Sequence, residues 1–342
     1  MYMRQYKGID VFKFIMALLV VVLHTHPLYG VNAGLNILTA DVISRIAVPF
    51  FFAASGFLLQ EQIDGGDEET RDVLGRYIRK ILGLYCIWTI IYLPIIVYVK
   101  ILDSDDALIR SMLMLLRDFV FVGSYAHLWY LPAAAAGVAV VYTLKKYVGE
   151  RETALILLGL FLVGLLTQSY FGLLTYAVDP GGILWKMMKA VKKVMVTCRN
   201  GIFFGSIFIY MGTWIAKSDF TIKKWKAVVG LAVSVLLFSI EAAYLRAAGF
   251  VREEDMYLML LPVVFFLVII AVQTSVNGGT VFFRKMSMNI YYVHVLFRFV
   301  YREYIGENAA NNIGQFLFTL TGALIAAYLM YRAEYRLKKR RA

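Results

Sequence analysis

Stretches of about twenty residues, apolar at nearly every position, recur along this chain and alternate with short segments rich in charge. An apolar helix of that length crosses a hydrocarbon core of ~30 Å. Ten such stretches fall at 9–29, 42–60, 80–100, 126–145, 153–173, 199–216, 226–246, 256–274, 286–305 and 312–332. Polar and apolar residues do not alternate over ~10-residue segments as they do in membrane β-barrels. The pattern predicts an all-α, polytopic membrane helical bundle of about ten transmembrane helices, a single domain over residues 1–342.

Two connections are longer than the rest. Residues 101–125 carry Asp103, Asp105 and Asp106, then an amphipathic run from Ala107 to Val122. Residues 174–198 hold the turn signal Asp179-Pro180-Gly181-Gly182 and continue through Ile183 to Val196. There Lys186, Lys189, Lys192 and Lys193 share one helical face, as in a helix that lies on the membrane surface, dips back into the bundle as a gate, or binds anionic lipid or an anionic acceptor. No internal repeat is visible, which disfavours the inverted-repeat transporter folds.

Composition agrees with the pattern: 61% of residues are hydrophobic, against roughly 45–50% in soluble domains. With the N-terminus inside, 21 of the 35 Lys and Arg fall on the cytoplasmic side, 12 on the other, and Lys13 and Arg45 in spans. Both termini are therefore expected in the cytoplasm, with the chain multi-pass in the plasma membrane. The net charge of +12 is mostly this bias and implies no nucleic-acid partner; the partner it implies is the lipid bilayer. Two cysteines, Cys86 and Cys198, exclude a disulfide framework. The basic start and apolar run resemble a signal peptide, but His24-Thr25-His26-Pro27 interrupts the cleavage region, so an uncleaved first span is expected.

Ionisable groups inside spans are expensive and mark function by default. Lys13 and His24 are separated by eleven residues of helix, roughly three turns and ~16 Å, and so share a face at two depths. One reading gives an anion handle on the cytoplasmic side and a proton-handling imidazole above it. The other has Lys13 snorkelling to the interface and His24 bonded to a neighbouring helix. Arg45, His127 with Trp129, Arg199 with Asn200, Glu241 and His294 all fall in the outer half of their spans. Buried charges of both signs at one level are held most cheaply around a polar cavity. No metal-ligand spacing occurs: His24 and His26 point to different helix faces. Neither a nucleophile elbow nor a phosphate-binding glycine loop is present.

Such a cavity has the parts for acyl transfer. Histidine serves as general base on a hydroxyl or as nucleophile at a thioester, arginine stabilises an oxyanion, and Glu241 orients an imidazole. It also has the parts for proton-coupled binding of a zwitterion, with arginine on the carboxylate and Glu241 on the ammonium. The residue inventory fits both.

The opening spans read GIDVFKF over 8–14, then His24, then RIAVPFFFAASGF over 45–57. With HLWYL at 127–131, RNGIFF at 199–204, EAAYL at 241–245 and NIYYVH at 289–294, they resemble the acyltransferase 3 family of ten-span membrane proteins. The last four motifs look most like the membrane half of vancomycin-resistance serine/alanine racemases. In that family a basic residue, usually Arg, precedes a first-span His by ten intervening positions; here Lys13 and His24 occupy them, and Ser55-Gly56-Phe57 closes the second element. The resemblance implies transfer of an acyl group, commonly acetyl, from cytoplasmic acyl-CoA as donor substrate, with no tightly bound cofactor. The acceptor it implies is extracytoplasmic, such as cell-envelope carbohydrate or another small hydroxyl compound. His24, Glu241 and His294 are then the catalytic candidates. Lys13, Arg45, His127, Trp129, Tyr130, Arg199 and Asn200 are the substrate-binding candidates. The racemase-like subgroup implies a rival, transport of L-serine or a similar small amino acid. Lys in place of Arg at 13 loses the bidentate contact with phosphate. No hydrolase-like or racemase domain follows residue 342, so the chain is not expected to be a complete racemase.

Overall fold

Every regular element among the described residues is helical. The structure is a computed structural model describing residues 6–63, 66–102, 108–179, 182–183, 185–186, 189–190, 195–219, 221–306 and 312–341. Helix α1 is Lys7–Thr25. A second tract runs without a break through α2 (Ala33–Asn36), a π-helical segment (Ile37–Val42), a 3-10 turn (Ile43–Ile46) and α3 (Ala47–Gln60). Then come α4 (Asp67–Val97), extended by a π segment at Tyr98–Leu102, α5 (Leu108–Phe121), α6 (Tyr130–Val148), α7 (Glu150–Thr167) and α8 (Phe171–Ala177). A third π segment, Gly201–Gly205, leads into α9 (Ser206–Lys217), followed by α10 (Lys224–Ala247), α11 (Leu260–Gln273), α12 (Val281–Ile305) and α13 (Asn312–Arg341).

Five tracts are long and apolar enough to cross a membrane: Lys7–Thr25, Ala33–Gln60, Asp67–Ile101, Lys224–Ala247 and Asn312–Arg340. Gly201–Lys217 and Leu260–Gln273 are shorter apolar helices. Ile90, Leu236 and Leu329 are each at least 60% exposed, as residues facing lipid are. This is a helical membrane protein.

Two boundaries differ from the apolar runs for physical reasons. Helix α4 starts at Asp67, well before the run at 80–100, because Asp67, Glu68 and Glu69 suit the positive end of the helix dipole. Helix α11 starts at Leu260 rather than 256, since Glu241 Oε2 accepts the Met259 N–H at 2.8 Å and caps that end. The expected amphipathic run near 107–122 is α5, which exposes Ile109, Met112, Leu113, Leu116 and Val120. Asp103, Asp105, Asp106, Pro180, Gly181, Lys192 and Lys193 lie outside the described residues.

The chain divides into two compact units. The first comprises Met1–Phe51, Asp219–Ala242 and Met259–Ala342. In it α1 packs against α12, and α12 against α13. Thr280 donates to Asp10 at 2.7 Å, Asn289 Nδ2 donates to the Ala327 carbonyl at 3.1 Å, and the Phe14 and Phe283 rings meet edge to face at 5.5 Å. Interhelical hydrogen bonds in membranes average only about 0.6 kcal/mol, so close packing carries most of the cohesion and the polar contacts set register.

The second unit is Phe52–Ser218 with Ala243–Leu258. Its α3–α9 crossing explains the Ser55-Gly56-Phe57 motif. A Cβ on Gly56 would stand 2.0 Å from the Ile209 carbonyl oxygen, and one on Gly212 would stand 1.9 Å from that of Ala53. Only glycine at both positions lets the two backbones approach this closely. Phe52, Phe161, Phe204 and Phe208 fill the space beside the crossing with edge-to-face and stacked rings.

Candidate functional site

The sequence candidates divide between the units: Lys13, His24, Arg45, Glu241 and His294 belong to the first, His127, Trp129, Tyr130, Arg199 and Asn200 to the second.

In the first unit His24 sits in the last turn of α1. That helix stops because His26 takes the left-handed conformation (φ 45, ψ 56) and donates its N–H to the Val22 carbonyl, with Pro27 next. Asn312 Nδ2 donates to the His26 carbonyl at 3.0 Å and pins the end of α1. The His24 ring centroid lies 5.3 Å from that of His294, with the planes tilted by 38°. His294 is fully buried on α12. Its Nδ1 lies 3.0 Å from the Ile290 carbonyl oxygen and 2.9 Å from that of Tyr291. Carbonyls only accept, so the proton resides on Nδ1 and the ring lone pair on Nε2. Backbone geometry alone thus selects the tautomer.

Arg45 rides on the 3-10 turn that packs against α1 and α11. Lys13 is half-buried on α1. Glu241, expected beside an imidazole, gives one carboxylate oxygen to the cap of α11. A group the sequence did not single out lies at the end of α1: His26 Nδ1 is 3.2 Å from Asn36 Nδ2 and 3.7 Å from Asp41. Its only sequence signal was a second histidine beside the first.

In the second unit Arg199 pairs with Asp255 at 3.1 Å, and its guanidinium stands 4.9 Å over the Trp129 ring. Its Nε is buried without a partner among the described residues. These groups border a hollow of about 180 Å³ lined by Phe121, Trp129, Met195, Arg199, Asn200 and Gly201, mostly apolar with one strong cation. Asn200 is engaged in the fold: its Oδ1 accepts from Ile202 and Phe203 N–H at 2.9 and 3.0 Å, and its Nδ2 donates to the Thr197 carbonyl at 2.9 Å. It caps the π segment that follows. A Cβ on Gly201 would stand 2.2 Å from the Ala133 carbonyl oxygen, so the chain passes α6 in close contact. His127 is 2% exposed, edge to face with Tyr92 at 5.1 Å, and Tyr130 reaches Ser55 at 3.4 Å. Asp255 was missed, since one acid in the Glu253-Glu254-Asp255 run carries no local mark of its partner. Arg45 and Arg199 both lie within three residues of π segments, which are frequent at functional sites.

An acyltransferase 3 family model, described as an acyltransferase domain, matches residues 6–332. The chain belongs to the acyltransferase 3 family. Among curated proteins, this acyltransferase 3 chain is 33% identical to an amino-acid racemase of Enterococcus faecalis over 259 residues, 76% of this chain and 35% of the relative. It is 32% identical to a serine/alanine racemase of Enterococcus gallinarum over 263 residues, 76% of this chain and 36% of that relative. The chain thus spans about a third of the length of the curated relatives it matches. No solved structure matches it.

Proposed function

We propose that the protein is an integral O-acyltransferase of the plasma membrane. It moves an acyl group, acetyl in the simplest case, from cytoplasmic acyl-CoA to a hydroxyl on an extracytoplasmic acceptor such as cell-envelope carbohydrate. The observation that carries this reading is the imidazole pair of His24 and His294, with the Nδ1 proton of His294 held by two backbone carbonyls. His24, the less buried of the two, takes the proton of the acceptor hydroxyl as its oxygen attacks the thioester carbonyl. The tetrahedral intermediate collapses, the C–S bond breaks, and the thiolate leaves with the proton returned from the imidazolium. His294 orients and solvates the charged imidazole through Nε2. Arg45 stabilises the oxyanion, and Lys13 meets the phosphates of the donor as a point charge.

The test is acyl transfer by the full chain in detergent, followed as free thiol release from acetyl-CoA. Release by wild type that vanishes in His24→Ala supports the reading; absence of release with every short-chain thioester overturns it.

A second reading is favoured by a different observation. Arg199 and Asp255 offer a cation and an anion beside an apolar hollow sized for a small molecule, which suits the carboxylate and ammonium of a small amino acid such as L-serine. Two relatives are named for racemising amino acids. Uptake of labelled L-serine into proteoliposomes, lost in Arg199→Ala, would establish transport in place of acyl transfer.

A further inference from the structure

The last helix, α13, carries two kinds of exposed residue on one face. At ~100° per residue, Phe318, Ile325 and Leu329 fall within the same arc of about 100° as Arg332, Arg336, Lys339 and Arg340. The three apolar residues are 40%, 57% and 61% exposed, while Ala323 and Ala327 on the opposite face are fully buried. The stripe is apolar for its first part and cationic from one turn beyond Leu329 onward. The basic part borders a hollow of about 630 Å³ shared with Tyr328 and Tyr335.

Local contacts prepare this surface. Arg332 lies 5.8 Å over the Tyr328 ring and donates to its hydroxyl at 3.1 Å. Glu334, the single acid of the segment, is taken by Lys285 of α12 at 2.6 Å. Phe282 and Tyr331 meet edge to face at 5.4 Å and, with that ion pair, clamp this end of α13 to α12. Among the described residues, Arg332, Arg336, Lys339 and Arg340 form no ion pair of their own.

We propose that this stripe binds a phospholipid with an anionic headgroup. The acyl chains lie along Phe318, Ile325 and Leu329, and the phosphate sits among Arg332, Arg336, Lys339 and Arg340. The apolar-then-cationic order on one face matches a lipid lying lengthwise, whereas a soluble anion has no use for the apolar half. Basic clusters next to a membrane helix gain about 1 kcal/mol per charge from anionic lipid, about fivefold in retention.

The full chain in detergent, loaded with phosphatidylglycerol or phosphatidylcholine and followed by native mass spectrometry, tests this. Phosphatidylglycerol should be retained well above phosphatidylcholine. Arg336→Gln should lower its retention about fivefold and the Arg332→Gln, Arg336→Gln, Lys339→Gln triple variant about a hundredfold. Lys338→Gln removes the same charge from a position outside the arc and should change little. All are exposed sites, and circular dichroism confirms that the variants fold. Equal losses in Lys338→Gln and Arg336→Gln overturn the proposal in favour of diffuse attraction. Equal retention of phosphatidylcholine overturns it as well, and so does displacement by free glycerol phosphate.

Discussion

In the first unit His294 is fixed by carbonyls of its own helix, Glu241 by the N–H that opens α11, and the end of α1 by Asn312 on the His26 carbonyl. In the second unit ion pairs are more numerous, although Lys285 and Glu334 pair in the first and Asn200 of the second is tied to backbone. Arg199 holds Asp255, Lys145 and Lys217 share Glu150, Arg246 holds Glu254, and Lys100 holds Asp118. The difference has a physical meaning. A neutral imidazole tied to backbone needs no counter-ion and keeps one tautomer, so it presents Nε2 as a fixed acceptor without dismantling its surroundings. Paired charges are already neutralised, which suits them to holding a charged molecule or a fold in place.

The largest expected effects follow from this contrast. If the first unit does chemistry, His24→Ala lowers the turnover of acyl transfer by about 10²–10⁴-fold, the usual worth of a general base. If the second unit binds, Arg199→Ala raises KM several-fold and leaves kcat within about threefold. A kcat loss in Arg199→Ala as large as that in His24→Ala would erase the division between the units.

The ion pair can be measured directly. Arg199→Ala, Asp255→Ala and the double variant form a cycle in thermal unfolding. The coupling should be on the order of 1 kcal/mol, since Arg199 keeps 31% of its side chain exposed and solvent screens the pair. Additive effects would show that the aromatic face of Trp129, rather than Asp255, positions the guanidinium.

Much of this was legible in the sequence, and the limit is instructive. Apolar run length located α1 and the tract ending at Gln60, because lipid exposure forces nearly every position of a span to be apolar. The SGF motif at 55–57 was legible as a motif but not as a crossing, since its partner Gly212 lies 156 positions away. Depth along a span gave His24 and His294 a similar expected level without saying that α1 and α12 are neighbours. Pairing between helices is non-local, and periodicity within a helix does not encode it. The π segments at 37–42 and 201–205 were invisible because the extra residue in the turn changes no composition. Asn200, named in the sequence only as a substrate-binding candidate, caps the run that follows it, a role its sequence reading did not include. Glu241 carried no capping signal, since the N–H it accepts belongs to a different helix.

Glu241 therefore sharpens the comparison. Glu241→Gln keeps an acceptor for the Met259 N–H, and Glu241→Ala removes it. As a cap alone, the alanine variant loses about 1 kcal/mol and the glutamine variant much less, with activity following stability. A glutamine variant that is stable yet inactive would show that the negative charge itself serves the imidazoles.

The smallest effect tests charge pairing at the edge of the second unit. Asp118, near the end of α5, accepts from Lys100 Nζ at 2.8 Å and from Arg117 at 2.8 and 3.1 Å. Burial pushes its carboxyl up, but the hydrogen bonds and charges of Lys100 and Arg117 outweigh it and hold the group below its ordinary value of 3.8. A depressed carboxylate stabilises the folded state fully above the unfolded value and loses that contribution as pH falls through the folded one. The attachment of α5 should thus be constant at neutral pH and weaken only below about pH 4. Tyr85 also holds this end of α5, donating to the Phe119 carbonyl at 2.7 Å while accepting from the Ser124 N–H at 2.8 Å, and neither bond titrates there. The protection of 108–121, corrected for the intrinsic pH dependence of amide exchange, should therefore fall by a small factor on acidification, and Asp118→Asn should abolish that response while showing the lower protection throughout. A response that persists in Asp118→Asn would assign the acid sensitivity to another carboxylate and remove Asp118 from the paired charges that hold this unit.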